Sequence, residues 1–285
     1  MTILVLGATG NTGSEVVRQL KGKGAEFSVL VRNVESAAPL ALSREQIRVG
    51  DFSDVESMKK AMEGVSKVYL AMVAHPDNKQ WVANVIEAMQ TSGAKHLVKL
   101  SGMGASKEAG SEIIRVHAET DEMVKASGLT YTLVQPNSFY QNLFGSLETI
   151  KSMGQFFLPL RDAKQSVVDI RDVAAVVVAS LTEAGHEGKT YLLSGPQAIT
   201  FAEQAEILSK VTNRDIQYIA VPKEAAAEAM KSTGMNEWLA VHLAEILDWF
   251  AQGNYDYVTT DVEEVLGRPA ITFSEFAEEF ASFIK

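Results

Sequence analysis

The chain contains no cysteine among its 285 residues, which removes disulfides, thiolate metal ligands and cysteine nucleophiles together. It has no excess of positive charge. Lys and Arg number 26 against 36 Asp and Glu, a formal net charge of −10, whereas a surface for nucleic acid needs clustered cations. It has no long apolar run: Val173–Leu181 is the longest, far short of the roughly 20 residues that span a bilayer, so no membrane partner is expected. No charged-then-apolar leader precedes the first apolar segment, and a cytoplasmic location is the expectation. The five histidines, at 75, 96, 117, 186 and 242, show none of the short spacings of zinc sites, so no metal is expected. Repeats, low-complexity tracts and long linkers are missing too. What remains is an ordinary globular composition, 46% hydrophobic and 22% charged, on a chain long enough for one doubly wound domain with an elaboration or two small domains.

The most informative segment is the first. The apolar run Ile3-Leu4-Val5-Leu6 ends in glycines at 7, 10 and 13, and a helical pattern (Glu15, Val16, Val17, Leu20) follows at once. Strand, tight glycine turn and helix in that order form a cradle for a dinucleotide pyrophosphate. Glycine lets the backbone approach the phosphates, whose charge meets free N–H groups at the positive helix N-terminus.

Further apolar runs predict strands at 26–31, 46–49, 67–72, 96–100 and 130–135, with helices near 11–21, 55–62, 78–92 and 111–127 between them. This alternation predicts an α/β fold, a Rossmann-type doubly wound parallel sheet covered on both faces, with ligands at the carboxyl ends of its strands. Later, 155–158 and 165–169 read as short strands and 171–183 as a helix that Asp169 could cap. Beyond Gly188 the pattern turns helical. Ser53–Glu56, Thr200–Glu203 and Thr272–Glu275 each read as a capping box. The expected organisation is a dinucleotide domain over residues 1–148, with 163–184 packing back onto it, and a smaller, mostly helical C-terminal substrate lobe over 149–285.

The whole chain resembles the NmrA-like branch of the atypical short-chain dehydrogenase/reductase superfamily. The resemblance rests on Gly7-Ala8-Thr9-Gly10-Asn11-Thr12-Gly13, Val31-Arg32-Asn33, Gly50-Asp51-Phe52, Ser127–Thr132, Val168–Ala174, Thr260–Glu263 and Leu266-Gly267-Arg268-Pro269. It is nearest to the family's bacterial NAD(P)H-dependent quinone reductases and triphenylmethane-dye reductases. The cofactor this implies is NADPH or NADH, without flavin or metal. The turn Gly7, Thr9, Gly10, Asn11, Thr12 and Gly13 would hold the pyrophosphate. Arg32 stands where an NAD-binding chain would place an acidic residue. A guanidinium there suits a 2′-phosphate through charge-assisted bonds worth roughly 1.5–3 kcal/mol each, which favours NADPH over NADH. By the same resemblance Asp51 and Phe52 flank the adenine, Ala71, Met72 and Val73 the ribose beyond, and Ser101, Gly102, Pro136 and Asn137 complete the cofactor set.

Ordinary members of that superfamily carry a tyrosine with a lysine four residues on, a proton-relay pair one helical turn apart. None of the seven tyrosines here has lysine at that spacing; His117 and Asp121 take the two places. A sugar-nucleotide epimerase is therefore disfavoured. Hydride transfer to a quinone or cationic dye survives the loss, because these acceptors need no acid at the reacting atom, only a ring held at near-attack distance. His117 is the candidate proton donor or substrate-orienting group, with a satisfied core histidine as the alternative. Ser101 is the second catalytic candidate, with a turn serine as its alternative. Met103, Phe139, Tyr140, Phe144 and Trp238 are candidates to contact a flat aromatic or quinone-like substrate, by stacking in the case of the rings, though core packing uses the same residue types. The principal reading is thus an NADPH-dependent oxidoreductase acting on a quinone, dye or similar flat electrophile, as a monomer or homodimer. The other is a non-catalytic NADP(H)-binding redox sensor that reports to a protein partner.

Overall fold

A computed structural model describes residues 2–253 and 255–284 of the chain. The first half runs β1 (Ile3–Leu6), α1 (Asn11–Gly22), β2 (Phe27–Val31), β3 (Ile47–Val49), α2 (Val55–Ala61), β4 (Lys67–Leu70), α3 (Asn78–Ser92), β5 (His96–Leu100), α4 (Glu112–Ala126) and β6 (Thr130–Pro136). Then follow α5 (Leu147–Met153), β7 (Gln155–Leu158), α6 (Ile170–Thr182), β8 (Lys189–Leu193), α7 (Phe201–Thr212) and β9 (Gln217–Ala220). The chain closes with α8 (Lys223–Ser232), α9 (Glu237–Phe250), α10 (Asp261–Leu266) and α11 (Phe273–Ile284). Two compact units result: Met1–Lys107, Val116–Gln135 and Ile170–Leu192 form unit 1, and Glu108–Arg115, Pro136–Asp169 and Leu193–Lys285 form unit 2.

Unit 1 is a Rossmann-type α/β fold. Its seven strands run in the order β3-β2-β1-β4-β5-β6-β8, with β1 parallel to both neighbours (Ile3 opposite Phe27 on one side and Lys67 on the other). Strands β1 and β2 are buried along their whole length, as a parallel sheet covered on both faces requires. Helix α1 buries Thr12, Gly13, Val16, Val17 and Leu20, and its Gln19 Nε2 donates to the Arg171 carbonyl of α6 at 2.9 Å. Helix α6 is apolar nearly all round, the mark of a helix buried on every side. A core of Leu4, Leu6, Met58, Val68, Leu97, Val124 and Leu133 joins the sheet to α2, α3 and α4. Where the order reverses, between β1 and β4, lies the switch point at which such sheets take ligands.

Two buried histidines, His96 and His186, belong to this scaffold. His96 Nε2 lies 2.9 Å from Thr132 Oγ1, which itself donates to the His186 carbonyl at 2.7 Å. The threonine proton is thus committed, Nε2 carries the histidine's proton, and Nδ1 is left buried without a partner. Burial, with the charge of Lys67 adding to it, pushes His96 down to about 4.

Unit 2 has its own core, built on Phe156, Leu160, Leu208, Phe273, Phe276 and Phe280. Here β7 pairs in parallel with β9, Gln155 opposite Gln217. Both capping boxes expected in this unit form: Thr200 and Glu203 exchange hydrogen bonds at the start of α7, and Thr272 and Glu275 at the start of α11. At α2, however, the cap is Asp54, whose carboxylate accepts from Glu56 and Ser57 N–H, while the Ser53 hydroxyl donates to Asp51. Residues 165–169 form no strand; they make two isolated bridges, Gln165 with Ile199 and Val168 with Phe139. Among the described residues no helix is long and apolar enough to cross a membrane.

Candidate active site

The glycine turn is fixed by backbone crowding at two of its three positions. Gly7 has φ +79°, and a Cβ there would sit 2.1 Å from the Ala71 carbonyl oxygen. A Cβ on Gly13 would lie 2.1 Å from the Gly7 oxygen and 2.9 Å from the Ala8 Cα. Backbone therefore packs directly on backbone from β4 through β1 to the first turn of α1. Gly10 differs. Its φ is −80°, open to any residue, and a Cβ would meet only the Gly7 oxygen at 3.4 Å. The fold does not demand glycine here, so the room in front of it fits a ligand that must approach the backbone. No side chain caps α1, which it shares with α3, α5, α8 and α10, whereas Asp54, Thr200 and Asn236 cap α2, α7 and α9. An uncapped N-terminus behind an open glycine suits an anion, and the residues present fit a pyrophosphate. Thr9 and Asn11 are exposed beside it; Thr12 is buried, so its backbone N–H is what it can offer.

The other strand ends of unit 1 follow in register along the same edge. Arg32, after β2, is exposed. Asp51, after β3, accepts from the Ser53 hydroxyl at 2.6 Å and its N–H at 2.8 Å. Those bonds, with a smaller contribution from the Arg32 charge, hold its carboxyl below the usual carboxylate range. Phe52 is half-buried, Ala71 is buried under Gly7, Met72 is half-buried and Val73 is 64% exposed.

After β5 the site contains a cluster that the sequence reading missed. Lys99 and Asp121 form a buried ion pair at 2.8 Å. The second Asp121 oxygen accepts from the Ser101 hydroxyl at 2.7 Å and from Gln135 Nε2 at 2.9 Å. Desolvation pushes the Lys99 ammonium below its ordinary value, and Asp121 opposes the shift. One signal was available: a lysine inside His96-Leu97-Val98-Lys99-Leu100, a strand otherwise reading as buried, demands a partner. Asp121, which resemblance sets in the lysine place of the proton-relay pair, is thus saturated by neighbours within the protein. His117, one helical turn before it, is half-buried. Burial first, and the Lys99 charge second, push its pKa down against the pull of Asp121. The shift favours the neutral imidazole, and the proton-donor, orienting and core readings of His117 all remain open to it. Gly102 is half-buried, while Met103 is 1% exposed and is a core residue rather than a substrate contact.

In unit 2 the structure narrows several expectations. Pro136 is buried at the end of β6. The Asn137 side chain donates to Ser166 Oγ and the Tyr255 carbonyl, each at 3.0 Å, and accepts from Ser138 N–H at 2.7 Å, so its amide is spent inside the unit. Tyr140 is buried against Phe273 and Phe276 at centroid distances of 5.2 and 5.5 Å; it is core, not a stacking wall. Phe144 packs edge-on against Phe276, Phe280 and Phe283. Trp238 stacks instead on His242, 4.1 Å away, and Phe139 is half-buried. Among the described residues no cluster could hold a metal ion.

The chain is 40% identical over 283 residues to the NAD(P)H azoreductase of Xenophilus azovorans, covering 98% of each. It superimposes on the NADPH-dependent quinone oxidoreductase of Escherichia coli in complex with NADPH with a TM-score of 0.86, at 28% identity and covering 97% of this chain and 99% of that one. The Citrobacter sp. triphenylmethane reductase complexed with NADP(H) gives a TM-score of 0.84 at 30% identity, over 98% and 99% of the two chains. The NAD(P)H-binding family itself matches residues 7–184, from the first glycine of the cradle to the end of α6, and the chain belongs to that family.

Proposed function

We propose that the protein is an NADPH-dependent oxidoreductase that reduces flat, electron-poor acceptors such as quinones and azo or triarylmethane dyes. The observation that carries the proposal is the open Gly10 in front of the uncapped α1 N-terminus. Phosphates would rest on the N–H groups of Asn11–Gly13, since the Gly10 N–H already donates to the Gly7 carbonyl at 3.1 Å; the 2′-phosphate would meet Arg32, and Asp51, Phe52 and Ala71–Val73 would receive the adenosine side. A nicotinamide held there would supply hydride. The Ser101 hydroxyl donates to Asp121, and no tyrosine–lysine pair stands on α4. A quinone suits such a site: it accepts hydride and takes one proton from water to become the hydroquinone. A triarylmethane cation is neutralised by hydride alone. His117 would orient the acceptor. Three similar proteins are named for azo, quinone and triphenylmethane chemistry, all of it on conjugated acceptors.

The test is NADPH consumption with menadione, an azo dye and a cationic triarylmethane dye. Consumption well above the acceptor-free rate with at least one of them is expected. Tight NADPH binding without turnover on any acceptor would refute the reductase and favour the sensor.

A further inference from the structure

Beside the residues assigned to the adenosine half of the cofactor lies an aromatic ladder that the cradle does not explain. Phe52 follows β3, His75 follows β4, and Trp81 stands between them on the first turn of α3. The Trp81 ring stacks on Phe52 at 5.8 Å and 23°, and on His75 at 4.4 Å and 17°. All three rings are half-buried. The same stretch of α3 holds both loops by their backbones. Asn84 Nδ2 donates to the Phe52 carbonyl at 2.8 Å and is itself oriented by Gln80, whose Nε2 donates to Asn84 Oδ1 at 2.9 Å. Asn78 Nδ2 donates to the Val73 carbonyl at 3.2 Å. Residues 78, 81 and 84, at helical spacing, thus brace two ligand-edge loops that otherwise end in exposed side chains such as Val73.

We propose that Trp81 and Asn84 are positioning residues for the adenosine half of the dinucleotide, locking the loops after β3 and β4 in their binding geometry. This rests on the reading of the cradle as an NADPH site. A loop ordered in advance binds without the cost of ordering, so the brace acts on cofactor affinity and not on the transfer step. Losing both stacks frees both loops and should weaken binding about ten-fold.

The experiment measures dissociation constants for NADPH, for 2′,5′-ADP and for the reduced nicotinamide mononucleotide in wild type, Trp81→Ala, Trp81→Phe and Asn84→Ala. Support would be about ten-fold weaker binding of NADPH and 2′,5′-ADP by Trp81→Ala, unchanged binding of the mononucleotide, and recovery to within three-fold in Trp81→Phe. A rise in KM for NADPH with little change in kcat should accompany it. Should Trp81→Ala not fold, Asn84→Ala carries the test, with a smaller loss confined to the same two ligands. Affinities within two-fold of wild type in the alanine variants, or equal weakening of the mononucleotide, would overturn the inference while leaving the NADPH site standing. Failure of the wild type to bind NADPH would overturn both.

Discussion

Replacing the three cradle glycines one at a time by alanine should separate room needed by the protein from room needed by the ligand. At Gly7 the new methyl carbon would lie 2.1 Å from the Ala71 oxygen on a backbone with φ +79°. The left-handed conformation costs about 1–2 kcal/mol and the overlap about 1–3 more, so Gly7→Ala should lose roughly 2–5 kcal/mol of stability. Gly13→Ala meets the Gly7 oxygen at 2.1 Å without the φ penalty and should lose about 1–3 kcal/mol. Gly10→Ala meets nothing closer than 3.4 Å at φ −80°. It removes freedom from the unfolded chain and should gain about 0.4–1 kcal/mol, a rise of about 1–4 °C in Tm. The same methyl stands where the pyrophosphate must approach. With one or two charge-assisted bonds lost, NADPH should bind about 100-fold more weakly. Thermal unfolding and NADPH titration of the three variants side by side read both effects. A Gly10→Ala protein that binds NADPH within three-fold of wild type would refute the placement of the pyrophosphate at α1. A Gly10→Ala protein destabilised by about 2 kcal/mol or more would refute the claim that the space is empty of protein.

Four further outcomes are expected. Arg32→Glu should weaken NADPH about 10- to 100-fold and NADH less than about three-fold, because only the former carries the 2′-phosphate; equal losses in titrations of both would refute the assignment. Breaking the buried Lys99–Asp121 pair from either side should cost about 3–5 kcal/mol, whereas Lys99→Gln combined with Asp121→Asn should cost much less than the sum. Additivity within about 0.5 kcal/mol in urea unfolding would refute the coupling. In the Lys99→Gln protein the His117 pKa should rise, read by NMR of the imidazole ring, since a cation that lowers it has gone. Stability should also fall in acid. His96 is held at about 4 in the fold against about 6.5 unfolded, so its contribution is complete above pH 6.5 and drains away as pH drops toward 4. The total is about 3 kcal/mol, and His96→Gln should flatten that part of the unfolding profile.

The cradle was legible because its cause is local. Glycines three residues apart between an apolar strand and a helix can be recognised within thirteen residues, and the alternation after them fixes the order of β1 to β6. The Lys99 cluster was not legible, because Asp121 lies 22 residues from Lys99 and Gln135 a further 14; only the fold brings them together. Strands β8 and β9 escaped for another reason. Lys-Thr-Tyr-Leu-Leu and Gln-Tyr-Ile-Ala show exposed ends and no full apolar run, so their pairing comes from tertiary context. Tyr140 and Asn137 illustrate a third case. Residue type permits both a ligand contact and a core role, and the choice depends on Phe273, Phe276, Ser166 and Tyr255, all far along the chain.

The interleaving of the two units bears on how the chain is made. Unit 1 receives its last helix and edge strand, α6 and β8, from residues that follow a long stretch of unit 2. A ribosome adding about 5–20 residues per second needs about 10–40 s to reach Leu192, so the nascent cradle must wait for the helix that covers α1. The chain passes between the units at 107/108, 115/116, 135/136, 169/170 and 192/193. No single cut releases a complete nucleotide-binding half: a fragment ending at residue 148 would lack α6 and leave the apolar face of α1 bare to water. Evolution could therefore not have exchanged the substrate-side segments by one simple fusion. Variation in acceptor among relatives is expected to lie in substitutions and loop changes rather than in exchanged domains.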